Sequence, residues 1–110
     1  MGEISFEQWK QMDFRVGEIT DVKDHPNADK LYVLEVDLGK EKRTLVAGLK
    51  GHYDKDDLIG KKVVVFTNLK PVELRGVKSD GMVLAAVDED EEKIVLLEPE
   101  SDIDNGACIR

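Results

Sequence analysis

The order of apolar and polar residues along the chain predicts a short helix followed by a run of strands. Ser5 and Gln8 form a capping box, with Ile4 and Trp9 at the positions of a hydrophobic staple, so a helix starts here and ends near Asp13. Its apolar residues Phe6, Trp9 and Met12 recur every three positions. A helix this brief is unstable alone in water, so the stripe needs a surface to cover, either on its own domain or on a second subunit. Phe14 to Val22 alternates loosely; Tyr32, Leu34, Val36 and Leu38 then share one strand face, with Val33, Glu35 and Asp37 on the other. Arg43 to Ala47 is another short strand, and Asp54 to Ile59 can form a small helix before Gly60. Lys62 to Thr67, Met82 to Val87 and Ile94 to Leu97 are β-branched or apolar enough for three more strands.

Some five short strands, a helix before the fourth, glycines at bends and no βαβ rhythm predict a mainly β fold. The expected form is a five-stranded barrel of the oligonucleotide/oligosaccharide-binding type, an OB-fold. No internal repeat or low-complexity linker divides the 110 residues. A single domain is expected, with the N-terminal helix over 1–13, the barrel core over 14–87 and an acidic C-terminal extension over 88–110.

The formal charge of -8 speaks against a nucleic-acid binder, because phosphate affinity comes from clustered Lys and Arg. The distribution of that charge points the other way. Residues 88–110 hold two basic and nine acidic side chains, beginning with Asp88-Glu89-Asp90-Glu91-Glu92, whereas residues 51–87 hold six basic and five acidic. The acidic run reads as a solvated loop, and a basic face remains available on the first 87 residues. Cys108 is the only cysteine, so no intramolecular disulfide forms and a reducing compartment is the default. The N-terminus has no apolar stretch of signal length, and no window approaches a membrane span. A soluble cytoplasmic protein is expected.

Catalysis finds little support. The only histidines, His25 and His52, lie in no pattern that pairs a nucleophile with a base or builds a metal site. Asp54, Asp56 and Asp57 surround Lys55 and read as a solvated cluster, not a Ca²⁺ loop. Neither a Walker loop nor a Gly-x-Gly-x-x-Gly run is present. No catalytic residue, metal or cofactor is therefore expected. What remains is a set of cations, amides and a hydroxyl in turns beside apolar strands, which suits a binding face. Few aromatic rings are free to stack on bases, since Phe6 and Trp9 belong to the helix and Tyr32 and Phe66 to strands. That deficit favours a folded RNA read through backbone and shape.

In order along nearly the whole chain stand Arg15-Val16-Gly17, His25-Pro26-Asn27-Ala28-Asp29-Lys30-Leu31, Ala47-Gly48-Leu49, Gly60-Lys61-Lys62-Val63, Asn68-Leu69-Lys70-Pro71, Arg75-Gly76-Val77 and Ser79-Asp80-Gly81-Met82. These blocks resemble the tRNA-binding domain of methionyl-tRNA synthetases. The resemblance implies a five-stranded barrel with an extension, appended to the synthetase C-terminus, made as a separate subunit or free-standing, and often a homodimer. It implies binding of tRNA by shape at the outer corner of the L, alongside a methionyl-tRNA synthetase catalytic subunit. Asn27, Lys30, Lys70, Arg75, Ser79 and Met82 would line the RNA face, with Arg15 a further member.

The chemistry allows it. Lys30, Lys70 and Arg75 can neutralise phosphates, Asn27 and the Ser79 hydroxyl can reach ribose or phosphate oxygens, and Met82 offers an adaptable apolar contact. The residues themselves leave simpler roles open. Asn27 can merely stabilise a turn, Ser79 can bond to local backbone, Met82 can be core, and the cations can pair with Asp29 or Glu73. The Phe6, Trp9 and Met12 stripe is the expected dimer interface. A related branch with the same barrel consists of secretion-associated chaperones that bind unfolded peptides, for which an exposed apolar groove would be the signature. The acidic stretch from Asp88 to Glu92 and the Cys108-bearing end depart from the family pattern.

Overall fold

The length of one strand sets the architecture. β1 runs through eleven residues, Phe14–Asp24, too long to be covered by one neighbour. Its first half pairs with β4 (Lys62–Phe66) and its second half with β2 (Tyr32–Asp37), both antiparallel, with Glu18 shared between them. The register shifts between Ile19 and Asp21, so Thr20 is the extra residue of a bulge that bends the strand and sharpens its twist. The computed structural model describes residues 2–110.

β3 (Lys42–Ala47) flanks β2 and β7 (Met82–Val83) flanks β4, giving the order β3-β2-β1-β4-β7. The ends of this sheet are drawn together just before β7. Asp80 N donates to Thr44 O at 3.0 Å, and Val46 N donates to the Ser79 hydroxyl at 2.9 Å. The result is the mainly β, nearly closed five-stranded barrel that the sequence predicts.

The barrel interior follows the predicted alternation. Tyr32, Leu34, Val36 and Leu38 point inward beside Ile19, Leu45, Val63 and Val65. At Gly17 a β-carbon would lie 2.5 Å from Val36 Cγ1, so glycine there lets β1 pass over the packed core. The short helix α2 (Lys55–Leu58) sits between β3 and β4 in the chain and inserts the fully buried Leu58 into the same core.

Outside the barrel lie two hairpins, β5 (Val72–Leu74) with β6 (Val77–Ser79), and β8 (Ala85–Val87) with β9 (Ile94–Leu96). The strand expected over Met82 to Val87 is thus two. Leu84 N still bonds to Val64 O in the barrel, whereas Ala85 already pairs with Leu96. The acidic run forms the tip of the second hairpin, where the Asp88 carboxylate accepts from Glu92 N and Lys93 N. The division expected at 87/88 therefore falls inside a hairpin. Beyond it, Lys61 holds Glu98 at 2.7 Å and Lys62 holds Asp102 at 3.0 Å, and β10 (Cys108–Ile109) returns to pair with the start of β1.

The N-terminal helix α1 (Phe6–Trp9) carries the predicted capping box, with Gln8 N donating to Ser5 Oγ at 3.1 Å and Ser5 N to Gln8 Oε1 at 2.9 Å. It stops at Trp9, not near Asp13, because Asn68 claims the chain that follows. The Asn68 amide donates to Gln11 O at 2.6 Å and accepts from Asp13 N at 2.8 Å. Trp9 stacks on Phe14 at 5.4 Å between ring centroids, and Phe14 meets Phe66 at 4.8 Å, so one residue of the stripe is docked on its own barrel. Phe6 is 69% exposed, and Trp9 at 38% and Met12 at 40% also keep much of their surface open. Among the described residues no helix is long and apolar enough to cross a membrane.

Candidate nucleic-acid interface

The β5–β6 hairpin turns on two residues. Leu74 pairs with Val77, leaving Arg75 and Gly76 as the loop, with φ of 53° and 93°. Two consecutive left-handed residues make a type I′ turn, whose twist matches that of the flanking strands. Arg75 is exposed at this turn.

A second loop, residues 25–31, lies against this tip. His25 is buried at 6% exposure, and its Nε2 lies 2.8 Å from Leu74 O. Asn27 N donates to His25 Nδ1 at 2.9 Å, and the Asn27 side-chain amide donates to Arg75 O at 3.1 Å. Between the two loops is a cleft of about 380 Å³ lined by Asn27, Ala28, Asp29, Lys30, Leu31 and Arg75. Lys30 and Arg75, more than forty residues apart in sequence, thus border one opening.

Charge pairing separates these cations from most others. Eight of the sixteen Lys and Arg side chains lie within ion-pair distance of a carboxylate among the described residues. Lys30, Lys70 and Arg75 are not among them. The alternative pairings with Asp29 and Glu73 are not formed, even though each acid is at hand. Of the other five cations outside ion-pair distance, Lys78 is the one on this hairpin, exposed on β6 directly opposite Glu73, and no motif in the sequence singles it out. Lys70 stands at the base of the hairpin and Arg75 at its tip.

Ser79 corrects the expectation that its hydroxyl reaches RNA. It is 3% exposed, accepts from Val46 N and donates to Gly81 O at 3.0 Å. Its proton and one acceptor site are used in closing the barrel and anchoring the hairpin base. Arg15 is also elsewhere. It lies ten residues before His25 along β1, roughly 30 Å of extended chain. Its Nε bonds both oxygens of Asp13 at 3.1 Å and its Nη1 donates to Gly106 O at 3.1 Å. The Arg15 hydrogen bond, reinforced by the Thr67 hydroxyl, holds the Asp13 carboxyl below its ordinary pKa. Arg15 is in this structure a clasp between β1 and the C-terminal segment.

Met82 is not core. It is 45% exposed, pairs with Phe66 across the sheet, and borders an apolar groove of about 270 Å³ with Val46, Leu49, Val83, Ala85 and Leu96. At the Phe14 end of β1, the helix residues Phe6, Trp9 and Met12 line another cleft, about 330 Å³, with Cys108 and Ile109. Among the described residues no group of three or more His, Cys, Asp or Glu side chains is gathered as metal ligands.

The profile of a family described as "Putative tRNA binding domain" matches residues 14–108, which includes both loops and the whole barrel. The chain belongs to this tRNA-binding domain family. Methionine-tRNA ligase from Thermococcus onnurineus is 55% identical over 97% of the chain, and the chain spans 14% of that ligase's length. Among solved structures, a MetRS-related protein from Pyrococcus horikoshii superposes with a TM-score of 0.93, 31% identity and complete coverage of both chains. The chaperone CsaA from Bacillus anthracis superposes with a TM-score of 0.91 and 31% identity, covering 99% of this chain and all of its own. A synthetase-related protein and a chaperone thus share this barrel.

Proposed function

We propose that the chain is a non-catalytic module that binds folded transfer RNA and assists aminoacylation beside a methionyl-tRNA synthetase catalytic subunit. The observation that carries this reading is the cleft between residues 25–31 and the β5–β6 tip, bordered by Lys30 and Arg75, neither within ion-pair distance of a carboxylate among the described residues. Unpaired cations on rigid turns neutralise phosphates without first breaking an internal ion pair. Lys70 and Lys78 extend the same charge along the hairpin, the free Asn27 Oδ1 can accept from a ribose hydroxyl, and Met82 lies further round the barrel. Ser79 acts from behind, by holding the base of the hairpin, and Arg15 lies at the other end of β1. With Tyr32 buried and few rings available, shape and backbone supply recognition in place of base stacking. Tethered to a catalytic subunit, such a module raises the local tRNA concentration.

Fluorescence titration against folded tRNA, unfolded tRNA and single-stranded RNA tests the reading. A clear preference for the folded form supports it, and equal affinity for all three removes it. We place the module in the cytoplasm on its lone cysteine and its partner. The exposed Phe6 and Met12 beside β10 support a homodimer through this face.

The apolar groove under Met82 favours a second reading, a chaperone for unfolded polypeptide like the CsaA proteins of the same barrel. Competition separates the two. Displacement of bound tRNA by phosphate-rich polymers and not by an unfolded polypeptide favours the first.

A further inference from the structure

We propose that His25 is a positioning residue of the RNA-binding surface, locking the 25–31 loop to the hairpin tip so that Lys30 and Arg75 face the ligand at a fixed separation. The inference rests on the tRNA-binding reading above. A carbonyl oxygen can only accept, so the contact with Leu74 O places the ring proton on Nε2 and leaves Nδ1 bare to accept from Asn27 N. A neutral imidazole is therefore used at both of its nitrogens, one towards each loop. The Asn27 amide then takes the next carbonyl, that of Arg75. Two successive carbonyls of the turn are held by two side chains of one loop.

The backbone on the other side is closed as well. His25 N donates to Leu31 O at 3.1 Å, and Leu31 N to Ala28 O at 3.4 Å, so Lys30 sits in a loop tied at its base by the same residue. His25 is too buried to touch RNA, and no metal-ligand cluster surrounds it among the described residues. Its role is to couple. A hairpin with three-residue strands is marginal on its own; Ser79 secures its base, and the His25 and Asn27 bonds secure its tip. Without them the two cations move independently, and binding must order them first.

The test compares a labelled, folded tRNA titrated against the wild-type chain, His25→Asn, His25→Gln, Arg75→Ala and the His25→Asn/Arg75→Ala pair. Asn retains an acceptor near the δ position but cannot reach Leu74 O; Gln extends a donor towards Leu74 O but displaces the acceptor. His25→Asn is expected to bind about 5- to 15-fold more weakly, the effect of losing one or two hydrogen bonds, while the folded fraction stays near wild type. In the double variant, losing the latch adds little once Arg75 is gone. Wild-type affinity in both single His25 variants, or full additivity with Arg75→Ala, overturns the proposal.

Should the variants fail to fold, amide exchange in the wild-type chain decides. The Asn27 N–H, though on an exposed residue, is expected to be protected, and exchange as fast as a free loop amide overturns the latch. A wild-type chain with no preference for folded tRNA overturns the reading and this inference together. Normal wild-type binding with unaffected His25 variants overturns the inference alone.

Discussion

At the Asp24 end of β1, Lys30 and Arg75 are exposed and, among the described residues, outside ion-pair distance of any carboxylate, although Asp29 borders the same cleft. At the Phe14 end the arginines are held, Arg15 by Asp13 and Arg43 by Glu41 and Asp80, while Phe6 and Met12 are exposed. One barrel thus separates two kinds of unfinished surface. Free charge calls for a polyanion, and free apolar area calls for another protein surface. The family match, residues 14–108, takes in Lys30 and Arg75 but begins after Phe6 and Met12, so it does not bear on the apolar residues of the helix.

The largest expected effect comes from erasing the charged end. Lys30→Ala/Lys70→Ala/Arg75→Ala is expected to lower tRNA affinity on the order of a hundred- to a thousand-fold, and to flatten the dependence of log affinity on log salt by about two to three units. Arg15→Ala, at the clasped end, should leave that slope unchanged in the same titration. An equal loss of slope in both variants would erase the distinction between the ends.

A smaller effect is expected from the apolar end. Phe6→Asp/Met12→Asp should shift the proposed dimer towards monomer by at least about tenfold in dissociation constant, since each side chain would bring a charge into the proposed contact. Light scattering across a dilution series reads this. A wild-type chain that is already monomeric at micromolar concentration would leave this end without its proposed use.

The smallest effect is a pH dependence confined to the clasp. The Asp13 carboxyl titrates below its ordinary value of 3.8 in the folded chain, first through Arg15 and then through Thr67. An unfolded chain therefore binds a proton at a pH where the folded chain does not, and stability rises with pH across that interval. The contribution of Asp13 is complete above the ordinary value and is lost as pH falls through the depressed one. Acid unfolding of Asp13→Asn should accordingly be less steep below about pH 4 than that of the wild type. Identical acid limbs would show that the clasp contributes nothing.

Much of this was legible in the residues, and the omissions have physical causes. β2 announced itself because one of its faces is wholly buried, and the capping box because both its bonds are local. The β5–β6 hairpin did not, since strands of three residues are too short to alternate and Arg-Gly is a weaker turn signal than Asn-Gly. β10 has its partner at the opposite end of the sequence, where no local pattern can find it. Ser79 misled for a related reason. Ser-Asp-Gly reads as a surface bend, and its burial is decided by Val46 across the barrel. Arg15 had its clasp two residues away in Asp13, a spacing that in a strand puts both side chains on the same face. His25 looked like an ordinary loop histidine, and only the position of the Leu74 carbonyl gives its ring a second duty.

The tip of the hairpin carries a thermodynamic cost within the fold. Gly76 adopts its left-handed conformation freely, but Arg75 does so with a β-carbon that works against it, a penalty on the order of 1 kcal/mol. Asparagine suits that corner better and carries no charge. Arg75→Asn should therefore melt slightly higher than the wild type and yet hold tRNA more loosely, a divergence that would mark this corner as shaped for its ligand and not for its own repose.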